Sequence, residues 1–172
     1  AVLFVRGDLG VLDARRVGIV GTRNATQRGR ETAAQFGYEL SAAGVVVVSG
    51  LAKGIDGAAH RGALAVDGST PVGIVGNGLD RPYPKQHTEL WNAVAERGAL
   101  ISEWPPGTNP DAFRFPLRNR ILAGLVEVLV VAVAAALRVA GGVCGVIERY
   151  GPVKGLELVD LHDAVQESAH SR

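Results

Sequence analysis

A single cysteine, Cys144, stands among 172 residues, so no internal disulfide can form and no paired-cysteine metal site is available. Its setting, GGVCGVI, is apolar, and a small buried side chain in a reducing compartment is the expectation. Long hydrophobic runs are missing too. The longest, VLVVAVAAAL at 128–137, falls well short of the roughly 20 residues needed to span a bilayer. No charged segment followed by an apolar one opens the chain. A cytoplasmic protein with no membrane partner is therefore expected. Charge of one sign is lacking as well, since 18 basic residues against 17 acidic ones give a formal charge of +1. Any affinity for a polyanion has to come from where the basic side chains sit.

What is present is a repeated alternation. Compact β-branched runs at 17–20, 45–48, 72–75, 99–101 and 128–133 are separated by segments long enough for a helix, which predicts a parallel sheet. Runs such as VVVV are apolar throughout, as strands covered on both faces must be. The spacing predicts helices over 28–43, 56–66, 86–97 and 117–125, with Gly44 as a left-handed cap, Asp56 as an N-cap and Pro116 at a helix start. Beyond 132 the pattern weakens to a short helix at 134–140 and a last strand at 143–147. The expected fold is an α/β, Rossmann-like doubly wound and mainly parallel sheet flanked by helices. Residues 1–15 form a leading arm or edge strand, and 16–172 make a single domain.

In such sheets ligands bind beyond the carboxyl ends of the strands. The first strand runs into Gly21, Thr22 and Arg23, and the second into Ser49, Gly50, Leu51, Ala52, Lys53 and Gly54. The third leads to Gly76, Asn77 and Gly78, then Arg81 and Lys85, and the fourth to Arg114, Arg118 and Arg120. Any one of these cations is ordinarily a solvated surface charge. Their coincidence on four successive turns, beside glycines that let a backbone approach an oxyanion, points to an anion site.

Several ligands are disfavoured. GIVGTRNATQRG lacks the dinucleotide spacing, and Lys53 is followed by Gly54 and Ile55 rather than by the Ser or Thr of a Walker loop. No cofactor or metal is expected. Catalytic groupings are thin: His60 and His87 are expected to be structural or solvated, Ser49 to be a turn hydrogen-bonder, and Glu103 to pair with one of the arginines. In AFRFPLRNR the aromatics Phe113 and Phe115 alternate with basic residues, a pattern suited to stacking a base while holding phosphate. At least one of the two is expected in the core, and Phe115 is the better stacking candidate.

The motifs VGIVGTRNATQRG, VVVVSGLAKGIDGAAHRGAL, VGIVGNGLDRPYPKQH, ISEWPPGTNP and FRFPLRNRILAGL together resemble those of the DprA/Smf DNA-processing proteins over 4–133. The resemblance implies a Rossmann-like domain that holds single-stranded DNA during uptake and natural transformation, forms homodimers and helps load a RecA-type recombinase, without being an enzyme. It assigns phosphate contacts to Arg23, Lys53, Arg118 and Arg120, a phosphate or base edge to Asn119, and stacking to Phe115. After Ala132 the chain departs from the family pattern, with no S-G-[SA]-L-x-T-A-like segment. One rival reading is a nucleoside-monophosphate phosphoribohydrolase of the lysine-decarboxylase-like Rossmann group, whose P-G-G-x-G-T-x-x-E run is absent here. A small-nucleotide sensor using the same crevice is the other.

Overall fold

Valine-rich runs form the inner strands of the sheet at 46–49 and 72–75, where every residue is buried and both faces are covered. The computed structural model describes residues 2–132, so the helix and strand expected at 134–147 and the surroundings of Cys144 lie outside the described residues. The strands are β1 (Phe4–Gly7), β2 (Arg16–Gly21), β3 (Val46–Ser49), β4 (Val72–Val75), β5 (Ala99–Ser102) and β6 (Val128–Ala132). They make a six-stranded sheet in the order β1-β5-β4-β3-β2-β6. All neighbouring pairs are parallel except β1 and β5, which run antiparallel with Phe4 opposite Ser102. This is a Rossmann-like, mainly parallel sheet.

The helices are α1 (Gln27–Ala42), α2 (Ile55–Leu64), α3 (Thr88–Arg97) and α4 (Arg114–Leu125), with 3₁₀ turns at Leu9–Asp13 and Lys85–His87. Side chains alternate across the sheet and divide the core. Val47 packs with Ala33, Leu40 and Ala59 of α1 and α2, and Val75 and Leu100 pack with Trp91 and Val94 of α3. Val46, Val48, Ile74 and Ile101 point the other way, against Val11 and Leu122 of α4. Chain order explains the arrangement. Strands β2 to β5 are laid down in one direction with α1, α2 and α3 on one face, and α4 carries the chain back on the opposite face to place β6 beside β2. The switch point lies between β2 and β6, where doubly wound sheets open a crevice at their carboxyl ends.

Local signals account for most element ends. Thr26 caps α1, its hydroxyl accepting from Gly29 N–H at 3.1 Å. Gly44, at φ 77°, closes it in the left-handed conformation expected from the sequence. Two expectations need correction. Asp56 is not an N-cap: Gly54, at φ 79°, holds that place, and Asp56 lies inside α2 with its side chain buried. Pro116 does not start α4, which begins two residues earlier. Proline is tolerated there because the first four N–H groups of a helix have no intrahelical acceptor. No described helix is long and apolar enough to cross a membrane.

Candidate functional site

Beyond the carboxyl ends of β2, β3 and β4 lie two adjoining depressions of about 220 and 230 Å³. The larger is lined by Gly21, Asp56, Arg118 and Asn119, the smaller by Asn24, Gly50, Lys53, Asn77 and Tyr83. Arg23, Ala52 and Phe115 line both. Residues from three loops and the first turn of α4 therefore converge on one rim, as the spacing of the cations predicts.

The wall between the depressions is a stack. The Phe115 ring lies against Tyr83 with centroids 5.5 Å apart and planes 24° from parallel. The Arg23 guanidinium carbon stands 4.6 Å from the same ring centre. Arg23 and Lys53 are exposed, and neither pairs with a carboxylate among the described residues. A partly exposed aromatic wall beside two unneutralised cations suits a ligand with a flat π-face and an anionic group.

Beneath them lies a buried ion pair. Arg118 Nη2 is 3.4 Å from Asp56 Oδ2, while Asp56 Oδ1 accepts from Gly21 N–H at 3.2 Å. The guanidinium also donates to the Ile74 carbonyl, and its Nε donates to Asn119 Oδ1 at 2.9 Å. Burial pushes the Asp56 carboxyl up from its ordinary range, against the pull of the Arg118 charge and of the Gly21 and Gly50 N–H groups. Burial likewise lowers the Arg118 pKa, and Asp56 opposes it. The pair cancels its own charge, so the anion-attracting field of this rim comes from Arg23 and Lys53.

Several expected contacts are corrected here. Arg118 lines the larger depression, but its guanidinium is spent on Asp56 and Ile74 and is not spread toward solvent. Arg120 stands outside both depressions and pairs with Glu103, the ion pair expected of that acid. The Arg114 guanidinium turns away to lie 4.5 Å from the Trp104 ring centre and 5.2 Å from that of Phe113. Ser49 is fully buried, its hydroxyl donating to the Ile19 carbonyl across the sheet. Neither Phe113, 53% exposed, nor the half-buried Phe115 belongs to the core.

The glycines serve packing more than ligand approach. A Cβ on Gly50 would land on the Arg118 guanidinium, one on Gly54 on the Thr22 carbonyl, and one on Gly21 on the Ala132 carbonyl. Thr22 holds the first loop: its hydroxyl accepts from Asn24 N–H at 3.2 Å and its carbonyl from Ile55 N–H at 3.3 Å. Both histidines are structural. His87 Nδ1 lies 2.9 Å from the Leu51 carbonyl and His60 Nε2 lies 3.1 Å from that of Val72. Burial holds the His60 imidazole down at about 4 and depresses that of His87.

Sequence reasoning missed Tyr83 and Asn24, and it named Asn77 only as part of the turn after the third strand, with no role of its own. Tyr83 had a signal, being an aromatic between prolines in a cation-bearing loop, RPYPKQH. The two asparagines had none beyond their place after a strand.

Comparison with known proteins follows the same lines. The family model described as DNA recombination-mediator protein A matches residues 1–142. DNA processing protein DprA of Bacillus subtilis is 42% identical over 132 residues, which cover 76% of this chain and 44% of that protein. Protein Smf of Escherichia coli is 42% identical over 137 residues, 79% of this chain and 36% of that one. The crystal structure of DNA processing protein A from Streptococcus pneumoniae superposes with a TM-score of 0.72 at 40% identity, covering 79% of this chain and 47% of that one. That of the Helicobacter pylori protein, solved for its single-stranded DNA binding mode, gives 0.71 at 30% identity, covering 79% and 61%. The chain thus spans less than half the length of the curated relatives it matches.

Proposed function

From the premise that the chain belongs to the DNA recombination-mediator protein A family, we propose that it is a non-catalytic single-stranded DNA-binding protein. The observation that carries this reading is the grouping of Arg23, Lys53, Phe115 and Tyr83 on one rim. Phosphates are drawn to Arg23 and Lys53, and a base meets the aromatic wall. The half-buried Asn119, whose Oδ1 accepts from Arg118, offers its amide N–H groups at the edge of the larger depression, whereas the Asn77 amide is buried and donates to the Gly78 and Arg81 carbonyls. Phosphate contacts position the strand and aromatic faces accept any base, so sequence preference is weak. The Helicobacter pylori relative, which binds single-stranded DNA, supports the choice of ligand.

On the same reading the protein acts in the cytoplasm on DNA taken up during transformation. It protects that DNA, works as a homodimer and helps pass the strand to a RecA-type recombinase. Family membership supports these roles, and the rim described above accounts only for the first contact with the strand.

The test is a titration of the full chain with a single-stranded oligonucleotide, its duplex and a mononucleotide at two salt concentrations. The expected result is tightest binding to the single strand, weakening steeply with salt as condensed counterions are released. Equal affinity for the mononucleotide at both salts would favour a nucleotide sensor. Release of free base from AMP would favour the phosphoribohydrolase.

A further inference from the structure

A second aromatic cluster sits on the same rim, one strand further along the sheet. Trp104 lies just beyond β5, and Phe113 is the residue immediately before α4. The rings meet edge to face with centroids 6.2 Å apart, and the Arg114 guanidinium is held against both. Arg114 is further tied by a bond from Nη1 to the Asn109 carbonyl. Most of the cluster is half-buried, but Phe113 is more than half exposed, and Leu117, one helical turn on, is 44% exposed.

The cluster is continuous with the depressions. Ser102 accepts from Trp104 N–H at 3.0 Å and donates to the Asn77 carbonyl at 2.8 Å, so the loop after β5 is fastened to a residue that lines the smaller depression. Gly76, also lining it, packs against the Arg114 backbone and the Phe115 ring. Phe113 and Phe115 flank Arg114 in sequence, and successive helical positions two apart lie on different sides of the axis. The start of α4 therefore turns one aromatic toward the depressions and the other toward the β5 side.

We infer that the Trp104–Arg114–Phe113 cluster is a second stacking platform, which takes a nucleobase of the same single strand after it leaves the Phe115–Tyr83 wall. This rests on the reading of the rim as a single-stranded DNA site. The occupant follows from the chemistry. A strand lying across the carboxyl ends of β2, β3 and β4 in sheet order next reaches β5. There it meets an exposed ring already fixed by a neighbouring guanidinium, with little conformational freedom to lose. Charge plays a small part, because Arg114 faces the rings and Arg120 is paired with Glu103.

The test uses the full chain and oligothymidylates of about four and about twelve nucleotides, within the range of site sizes of single-strand binders. Phe113→Ala is expected to weaken binding of the longer strand roughly tenfold, leave the shorter one unchanged, and keep the salt slope. Phe113→Tyr should restore the loss. Because Phe113 is largely exposed, both variants should unfold at the wild-type urea concentration. Equal loss at the two lengths would overturn the inference by making Phe113 a support of the Phe115 wall, as would no loss at the longer length. Wild-type protein that binds neither strand would bring down the underlying reading as well.

Discussion

Arg118 and Asp56 meet 3.4 Å apart with side chains only 6% and 3% exposed, and they tie together the ends of three strands. Asp56 takes the N–H of Gly21 after β2, the guanidinium lies against Gly50 after β3, and it donates to Ile74 in β4. Removing either partner leaves an unpaired charge in a low-dielectric space. Arg118→Ala or Asp56→Ala is expected to cost about 3–5 kcal/mol of unfolding free energy in urea titrations. Replacing both by apolar residues of matched volume should recover much of that loss while still loosening the rim and weakening DNA binding.

The two unpaired cations make a different prediction. Arg23→Ala and Lys53→Ala should each weaken single-stranded DNA binding and reduce the slope of log affinity against log salt by about 1, with little change in stability. Arg23→Lys keeps the charge but gives up the planar contact with Phe115, so it should restore the salt slope without the full affinity. Fluorescence titrations at several salt concentrations separate the two effects.

Much of this was legible in the sequence. The strand runs, the order of helices and the convergence of Arg23 and Lys53 follow from periodicity and from the rule that parallel sheets bind ligands at their carboxyl ends. The fate of the other arginines was not legible, since a basic residue after a strand reads the same whether it faces solvent or a buried acid. Asp56 lies in GIDGAAH, and nothing local says that it will face Arg118 across 62 positions of chain. Arg114 is similar: its neighbours in sequence are aromatic, but only the fold brings Trp104 over it.

Gly50 offers a test that removes no charge. A methyl group there would displace the Arg118 guanidinium from its place between Asp56 and Ile74. Gly50→Ala is expected to lose stability on the scale of breaking the ion pair and to weaken DNA binding although every cation remains. Gly54→Ala combines a clash with the Thr22 carbonyl and a φ of 79° that side chains with a Cβ resist, so it should be at least as damaging. Urea midpoints and oligonucleotide affinity measured on the same preparations check both.

Acid should destabilise the fold through its histidines. His60 has a folded-state pKa of about 4 against an ordinary 6.5, so between those values the unfolded chain binds a proton that the folded one refuses. The stabilisation is fully present above pH 6.5 and is lost as pH falls toward 4, a change of about 3 kcal/mol for a shift of this size. His87, lowered by burial, acts in the same direction. Asp56, raised by burial, acts oppositely and contributes most at low pH. His60→Asn should flatten the fall in urea stability between about pH 6.5 and 4.

Strand β2 lies between β3 and β6, with Val17 opposite both Val47 and Val128. During synthesis, therefore, the emerging chain holds β2 as a naked apolar border until more than a hundred further residues have left the ribosome. Any product that stops before Val128 should behave as a sticky, half-made sheet, because an uncovered strand edge recruits other chains. The Thr22 N–H donates to the Ala132 carbonyl, so the loop that carries Arg23 is fastened only once the last described strand of this sheet is in place, and DNA binding should arrive with it.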